Sequence, residues 1–148
     1  MTINRVSYTL ESTLATVNQA EETASKIAQQ AGFDRDTADQ ISMAVREATV
    51  NAVLHGNKYD SNKKVRLAFE QNGDALVITV TDEGVGLNQN SIPDPLAPEN
   101  LLKTSGRGIF LIRSFMDEVR IRPLEPGTEI TLIKHVRGSA ADAKENSK

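Results

Sequence analysis

The 148-residue chain contains no cysteine and no tryptophan, and aromatic residues make up only 4% of it. Without cysteine there is neither a disulfide framework nor a thiolate zinc site, as is common in the reducing cytosol. No apolar run approaches the roughly 20 residues that span a bilayer, and residues 1–5 lack the apolar centre of a signal peptide. We therefore expect a cytoplasmic protein that contacts no membrane.

A strong excess of either charge is also missing, because the net charge is only -3. This argues against direct nucleic-acid binding, which usually requires a basic face. The length fits one compact domain, which we expect to cover residues 1–137. From residue 138 onwards the composition shifts to small and charged residues, which predicts a disordered tail over 138–148.

Hydrophobic periodicity predicts the element order β-α-α-β-β-loop-α-β-β. The predicted strands are Arg5–Leu10, Val65–Phe69, Leu76–Val80, Val119–Ile121 and a last one from Ile130, and the predicted helices are Leu14–Ala31, a second one ending near His55, and Gly108–Met116. Strands that group as hairpins, with helices between them, predict an α/β two-layer sandwich with a mixed, largely antiparallel sheet and helices on one face.

Two motifs carry side chains suited to chemistry. Glu47 and Asn51 are four residues apart on the second predicted helix, so they share one face. A carboxylate beside a carboxamide can accept a proton and hold a hard metal ion. Asp82 follows a predicted strand and precedes Gly84 and Gly86. Its carboxylate can accept a hydrogen bond from an exocyclic amine, while the glycines admit a flat ring.

A third motif comes directly before the last predicted helix, where free amides and the helix dipole favour a phosphate. It comprises Lys103, Thr104, Ser105, Gly106, Arg107 and Gly108. Each motif alone is explained at least as well by an ordinary helix edge, turn or cap. The three together form a complete nucleotide site, although neither a P-loop nor a dinucleotide-binding fingerprint is present.

The same residues resemble the motifs of the GHKL ATPase superfamily, in matching order and spacing from about Tyr8 to Val136. Glu47 and Asn51 are similar to its N box, Asp82 with Gly84 and Gly86 to its G1 box, Gly106 with Gly108 to its G2 box, and Gly127 with Thr128 to its last motif. Within the superfamily, the stretches that begin at Glu47 and at Ser105 resemble the sequences of the bacterial anti-sigma factor serine/threonine kinases.

This resemblance implies a Bergerat-type fold with ATP and Mg²⁺ as cofactors. It implies that Asn51 ligates the metal and that Glu47 is the general base for a protein hydroxyl. Asp82 would read the adenine amine with support from Thr128. Gly84 and Gly86 would line the base pocket, and residues 103–108 would hold the phosphates.

The implied partners are a sigma factor and an anti-anti-sigma antagonist protein, and the likeness also suggests a homodimer. One stretch departs from the family, because Gln19–Glu22 on the first helix is acidic where the best-known members carry a basic contact residue. Two alternatives therefore stay open. One is a nucleotide-dependent binding module for a non-sigma partner, and the other is a histidine-kinase-type domain acting in trans.

Overall fold

The computed structural model describes residues 4–84 and 106–136. Its strands are β1 (Asn4–Glu11), β2 (Lys64–Asn72), β3 (Ala75–Thr81), β4 (Glu118–Pro123) and β5 (Thr128–His135). Its helices are α1 (Leu14–Gln30), α2 (Arg35–Val50), which continues as a π-helical segment (Asn51–Gly56), and α3 (Gly106–Phe115). This order confirms the predicted succession of elements. The tail predicted over 138–148 lies outside the described residues.

The five strands form one sheet in the order β1-β2-β3-β5-β4, and all four pairings are antiparallel. The predicted β2–β3 hairpin is present, with Asn72 paired to Ala75. Gly73 occupies the turn with φ 65°, a left-handed conformation that glycine adopts without steric cost.

The helices form the second layer, in which α2 packs between α1 and α3. Alternate residues of the central strands face this layer and are buried in a single apolar cluster with it. The strand contribution to this cluster includes Val65, Leu67, Phe69, Leu76, Ile78, Val80, Ile130 and Leu132. The predicted α/β two-layer sandwich is therefore confirmed.

Local signals account for where α2 begins. Asp34 is the N-cap, and its Oδ1 accepts a hydrogen bond of 2.8 Å from the backbone N–H of Thr37. This bond lowers the pKa of Asp34, because it stabilises the charged form. Asp36 lies in the first turn of the same helix.

The helices differ from the prediction in some details. The helix that carries Glu47 extends to Gly56, as expected, but its last six residues are π-helical. Helix α3 begins at Gly106, two residues before the predicted start at Gly108. No helix within the described ranges is both long and apolar enough to cross a membrane.

Candidate nucleotide-binding site

Glu47 lies in the last turn of α2, and Asn51 is the first residue of the π-helical segment that follows it. The backbone N–H of Asn51 donates to the carbonyl oxygen of Glu47, which fixes the two residues one turn apart. Both side chains are half-buried. Within residues 4–84 and 106–136, neither side chain has a hydrogen-bond or ion-pair partner. The carboxylate and the carboxamide are thus available to a ligand.

The helix changes its geometry at Asn51. From there to Gly56 it is π-helical, and the N–H of Asn57 donates to the carbonyl oxygen of Ala52, five residues earlier, at 2.8 Å. Single π-helical turns inside α-helices occur frequently at functional sites. Here the widened turn ends where Gly56 meets the residue that follows β3.

That residue is Asp82, which is buried, with only 7% of its surface exposed. Its Oδ1 accepts from the N–H of Gly84 at 2.9 Å, and its own N–H donates to the carbonyl oxygen of Thr128 at 3.0 Å. Burial raises the pKa of Asp82, and this outweighs the lowering by backbone hydrogen bonds from Gly84 and Thr128. No ion pair to this carboxylate occurs within the described part of the chain.

Three glycines make room for Asp82. A Cβ atom added at Gly56 would lie 2.5 Å from the Asp82 carboxylate. One added at Gly84 would collide with the Gly56 carbonyl oxygen, and one added at Gly127 with the Asp82 carbonyl oxygen. Backbone segments from three parts of the chain therefore meet closer than any side chain would allow. The role of Gly56 was not predicted from the sequence.

The other predicted site residues fall into two groups. Thr128 begins β5 and lies beside Asp82, as its backbone hydrogen bond shows. Gly106, Arg107 and Gly108 form the first turn of α3, whose initial amides have no intrahelical acceptor. Outside the described residues lie Gly86, Lys103, Thr104 and Ser105.

The contact of Gly56 with Asp82 brings the helix bearing Glu47 and Asn51 to the end of the sheet where Asp82 and Thr128 lie. Helix α3, which carries the third motif, packs against the flank of α2. The fold therefore gathers at one end of the molecule the carboxylate and carboxamide of α2 and the buried acid after β3.

A buried polar residue at this end was not predicted. Asn57 is 1% exposed, and its Nδ2 donates to Ser12 Oγ at 2.8 Å and to the carbonyl oxygen of Lys64 at 3.0 Å. Its Oδ1 accepts from the N–H of Glu83 at 2.8 Å. The sequence signal, an asparagine after the last helical glycine, predicts only a helix stop.

Comparison with known proteins identifies the family. Residues 10–134 match the model of the histidine kinase-like ATPase domain. The chain belongs to this family. The resemblance predicted from the motifs is therefore confirmed, and ATP is the nucleotide that family membership implies.

Among curated relatives of this ATPase domain, the serine-protein kinase RsbW of Bacillus subtilis (strain 168) is 31% identical over 126 residues, covering 81% of this chain and 78% of its own. RsbW of Staphylococcus epidermidis is 34% identical over 122 residues, covering 78% and 76%. The anti-sigma F factor of Anoxybacillus flavithermus (strain DSM 21510 / WK1) is 35% identical over 111 residues, covering 72% and 75%.

Solved structures agree with the fold. The crystal structure of the RsbU and RsbW domains of Rv1364c from Mycobacterium tuberculosis matches 89% of this chain with a TM-score of 0.65 at 21% identity. This chain spans only 32% of that longer protein. The histidine kinase domain of the Erythrobacter litoralis EL346 blue-light activated histidine kinase matches with a TM-score of 0.57.

Proposed function

We propose that the chain is an anti-sigma factor serine/threonine-protein kinase. It binds ATP with Mg²⁺, sequesters a sigma factor in the cytoplasm and phosphorylates a serine or threonine of an anti-anti-sigma antagonist protein. The observation that carries this proposal is the carboxylate of Glu47, which lies one helical turn from Asn51 and has no partner among the residues that the structure describes. The names of the relatives, serine-protein kinase and anti-sigma F factor, support the same reading.

The residues around Asp82 fit an adenine nucleotide. Asp82 offers a buried acceptor for an exocyclic amine, in a cradle that a Cβ atom at Gly56 would fill. The backbone of Thr128 supports this acid from β5. On the family resemblance, Gly84 and Gly86 would line the base pocket, and residues 103–108 would hold the phosphates.

The residues of α2 fit the transfer step. The amide oxygen of Asn51 is a hard ligand of the type that Mg²⁺ takes together with nucleotide phosphates. When bound, the magnesium nucleotide supplies the phosphoryl group and neutralises the charge that develops on it. Glu47 takes the proton of the acceptor hydroxyl, a contribution of about 10²–10⁴-fold in rate for a positioned base.

The acidic face of α1 motivates the alternative of a nucleotide-dependent binding module for a non-sigma partner. There, Glu21 Oε1 accepts a hydrogen bond of 2.9 Å from Arg46 Nη1. Arg46 also donates to Asn18 Oδ1 at 2.8 Å. A guanidinium from α2 thus lies at the acidic stretch and offsets part of its charge. A homodimer remains part of the proposal on family likeness alone.

The proposal is tested by incubating the chain with Mg-ATP and candidate antagonist proteins and measuring intact mass. We expect one added phosphate on an antagonist, stable to acid as a serine or threonine ester. An acid-labile product would identify a histidine-kinase-type domain acting in trans. Nucleotide-dependent capture of a non-sigma partner without any mass gain would identify the binding module.

A further inference from the structure

Asn57 joins three segments that meet beside Asp82. Its Nδ2 donates to the carbonyl oxygen of Lys64, while its Oδ1 accepts from the N–H of Glu83. The N–H of Lys64 in turn donates to Glu83 Oε1 at 2.7 Å, which closes a ring of hydrogen bonds among the three residues. The second Nδ2 bond, to Ser12 Oγ, extends the ring to the junction between β1 and α1.

This ring of hydrogen bonds holds the backbone segment that carries Asp82. Three successive amides are fixed there: that of Asp82 by Thr128, that of Glu83 by Asn57, and that of Gly84 by the Asp82 carboxylate. The middle bond is the one made by a side chain from the helical layer. It therefore sets the orientation of the Asp82 peptide relative to the helix that carries Asn51.

The chain around Asn57 is itself held in an uncommon conformation. Lys58 and Tyr59, which follow it, have φ values of 51° and 60°, in the left-handed region that non-glycine residues seldom adopt. Such conformations persist where the surroundings over-determine them, and they cluster at functional sites. The Asn57 carbonyl oxygen also accepts from the N–H of Asp60 at 3.0 Å, which closes this turn.

We propose that Asn57 is a positioning residue for recognition of the nucleobase, acting through Asp82. By fixing the Glu83 amide, it aims the buried Asp82 carboxylate at the exocyclic amine of adenine. This inference rests on the proposed adenine site. Guanine presents a carbonyl oxygen where adenine presents the amine, so the aim of Asp82 determines the preference for adenine over guanine nucleotides.

The test compares the binding of Mg-ADP and Mg-GDP by titration calorimetry, with thermal unfolding measured in parallel. In Asn57→Ser, the serine side chain is too short to reach the Glu83 amide. We expect it to lower the ADP-over-GDP preference about tenfold, the size of effect expected for one hydrogen bond. Asn57→Asp keeps an acceptor for the Glu83 N–H, but it replaces the donor group with a carboxylate oxygen and adds a negative charge to a buried site. We expect it to lower stability and to retain the preference.

Ser12→Ala is the matched control, because it removes one partner of Asn57 and leaves the bond to Glu83 intact. It should unfold earlier and keep the wild-type preference. Loss of the preference in Ser12→Ala would assign the effect to general loosening and overturn the inference, as would an unchanged preference in Asn57→Ser. If Asn57→Ser does not fold, the Asn57→Asp and Ser12→Ala pair decides, and loss of preference in either contradicts the inference.

The outcomes separate this inference from the proposed function. A wild-type chain that binds no adenine nucleotide would remove the adenine site and the kinase with it. A wild-type chain that prefers ADP, alongside an Asn57→Ser variant with the same preference, would remove only the role of Asn57.

Discussion

At the scale of single residues, Asp82 combines a charge with burial. Removing a carboxylate from water costs free energy unless a cation or hydrogen bonds compensate it. Here the compensation comes from backbone amides, and the pKa of Asp82 remains raised. A protein that keeps such a group at the end of a strand bears a stability cost, which is typical of a binding site.

Asp82→Asn should therefore lose adenine-nucleotide binding and stabilise the free protein near neutral pH. Because the pKa is raised on folding, the native state holds the proton more tightly, so wild-type stability falls as pH rises from the ordinary aspartate pKa to the raised one. The variant lacks this group, so its stability advantage should grow across that window and then stay constant. Thermal unfolding of both proteins without nucleotide, measured over a range of pH, gives this stability difference. A difference that does not change with pH would contradict the account.

At the scale of elements, the π-helical segment Asn51–Gly56 links the two halves of the site. It begins at Asn51 and ends at Gly56, whose backbone lies against the Asp82 carboxylate. Apolar periodicity predicts a helix through these residues. It does not predict the wider turn, because six residues are too few to distinguish the period of a π-helix from that of an α-helix.

Gly56→Ala tests whether this close approach matters for binding. The added methyl would lie 2.5 Å from the Asp82 carboxylate and displace it. We expect weaker Mg-ADP binding by calorimetry, with a stability loss of about 1–3 kcal/mol, typical of overpacking. Gly73→Asn is the control, since a Cβ there meets nothing within 4 Å and asparagine tolerates the left-handed conformation. Equal affinities in the two variants would contradict this reading.

At the scale of the whole molecule, the two layers and the element order were predictable from the sequence. Apolar residues that alternate with polar ones along a strand, or recur every three to four residues along a helix, indicate which face of each element is buried. The pairing of Asp82 with Thr128 across β3 and β5 followed from motif resemblance and not from periodicity. Asn57 and the contact of Glu21 with Arg46 were not predictable. Both depend on which polar groups meet across segments far apart in sequence, and local patterns carry no such information.

The assembled site also predicts how ligands change the stability of the whole fold. Mg-ADP at 100 times its Kd should stabilise the wild type by about 2.7 kcal/mol through mass action. Asn51→Ala should lose the part of this stabilisation that depends on Mg²⁺, because Asn51 is the proposed metal ligand. Thermal unfolding with ADP, with and without Mg²⁺, measures that part. A variant that keeps the full Mg²⁺ dependence would remove Asn51 from the metal site.

The most direct test of the central claim, that α2 carries the base of a protein kinase, is Glu47→Gln. This variant keeps the shape and the helix but removes the proton acceptor. The measurement is single-turnover phosphate transfer from Mg-ATP to the antagonist, alongside Mg-ATP affinity. Asp36→Asn, a like change in the first turn of α2, is the control. We predict unchanged affinity with transfer slowed about 10²–10⁴-fold in Glu47→Gln, and wild-type transfer in Asp36→Asn. Transfer by Glu47→Gln at the wild-type rate would contradict the account.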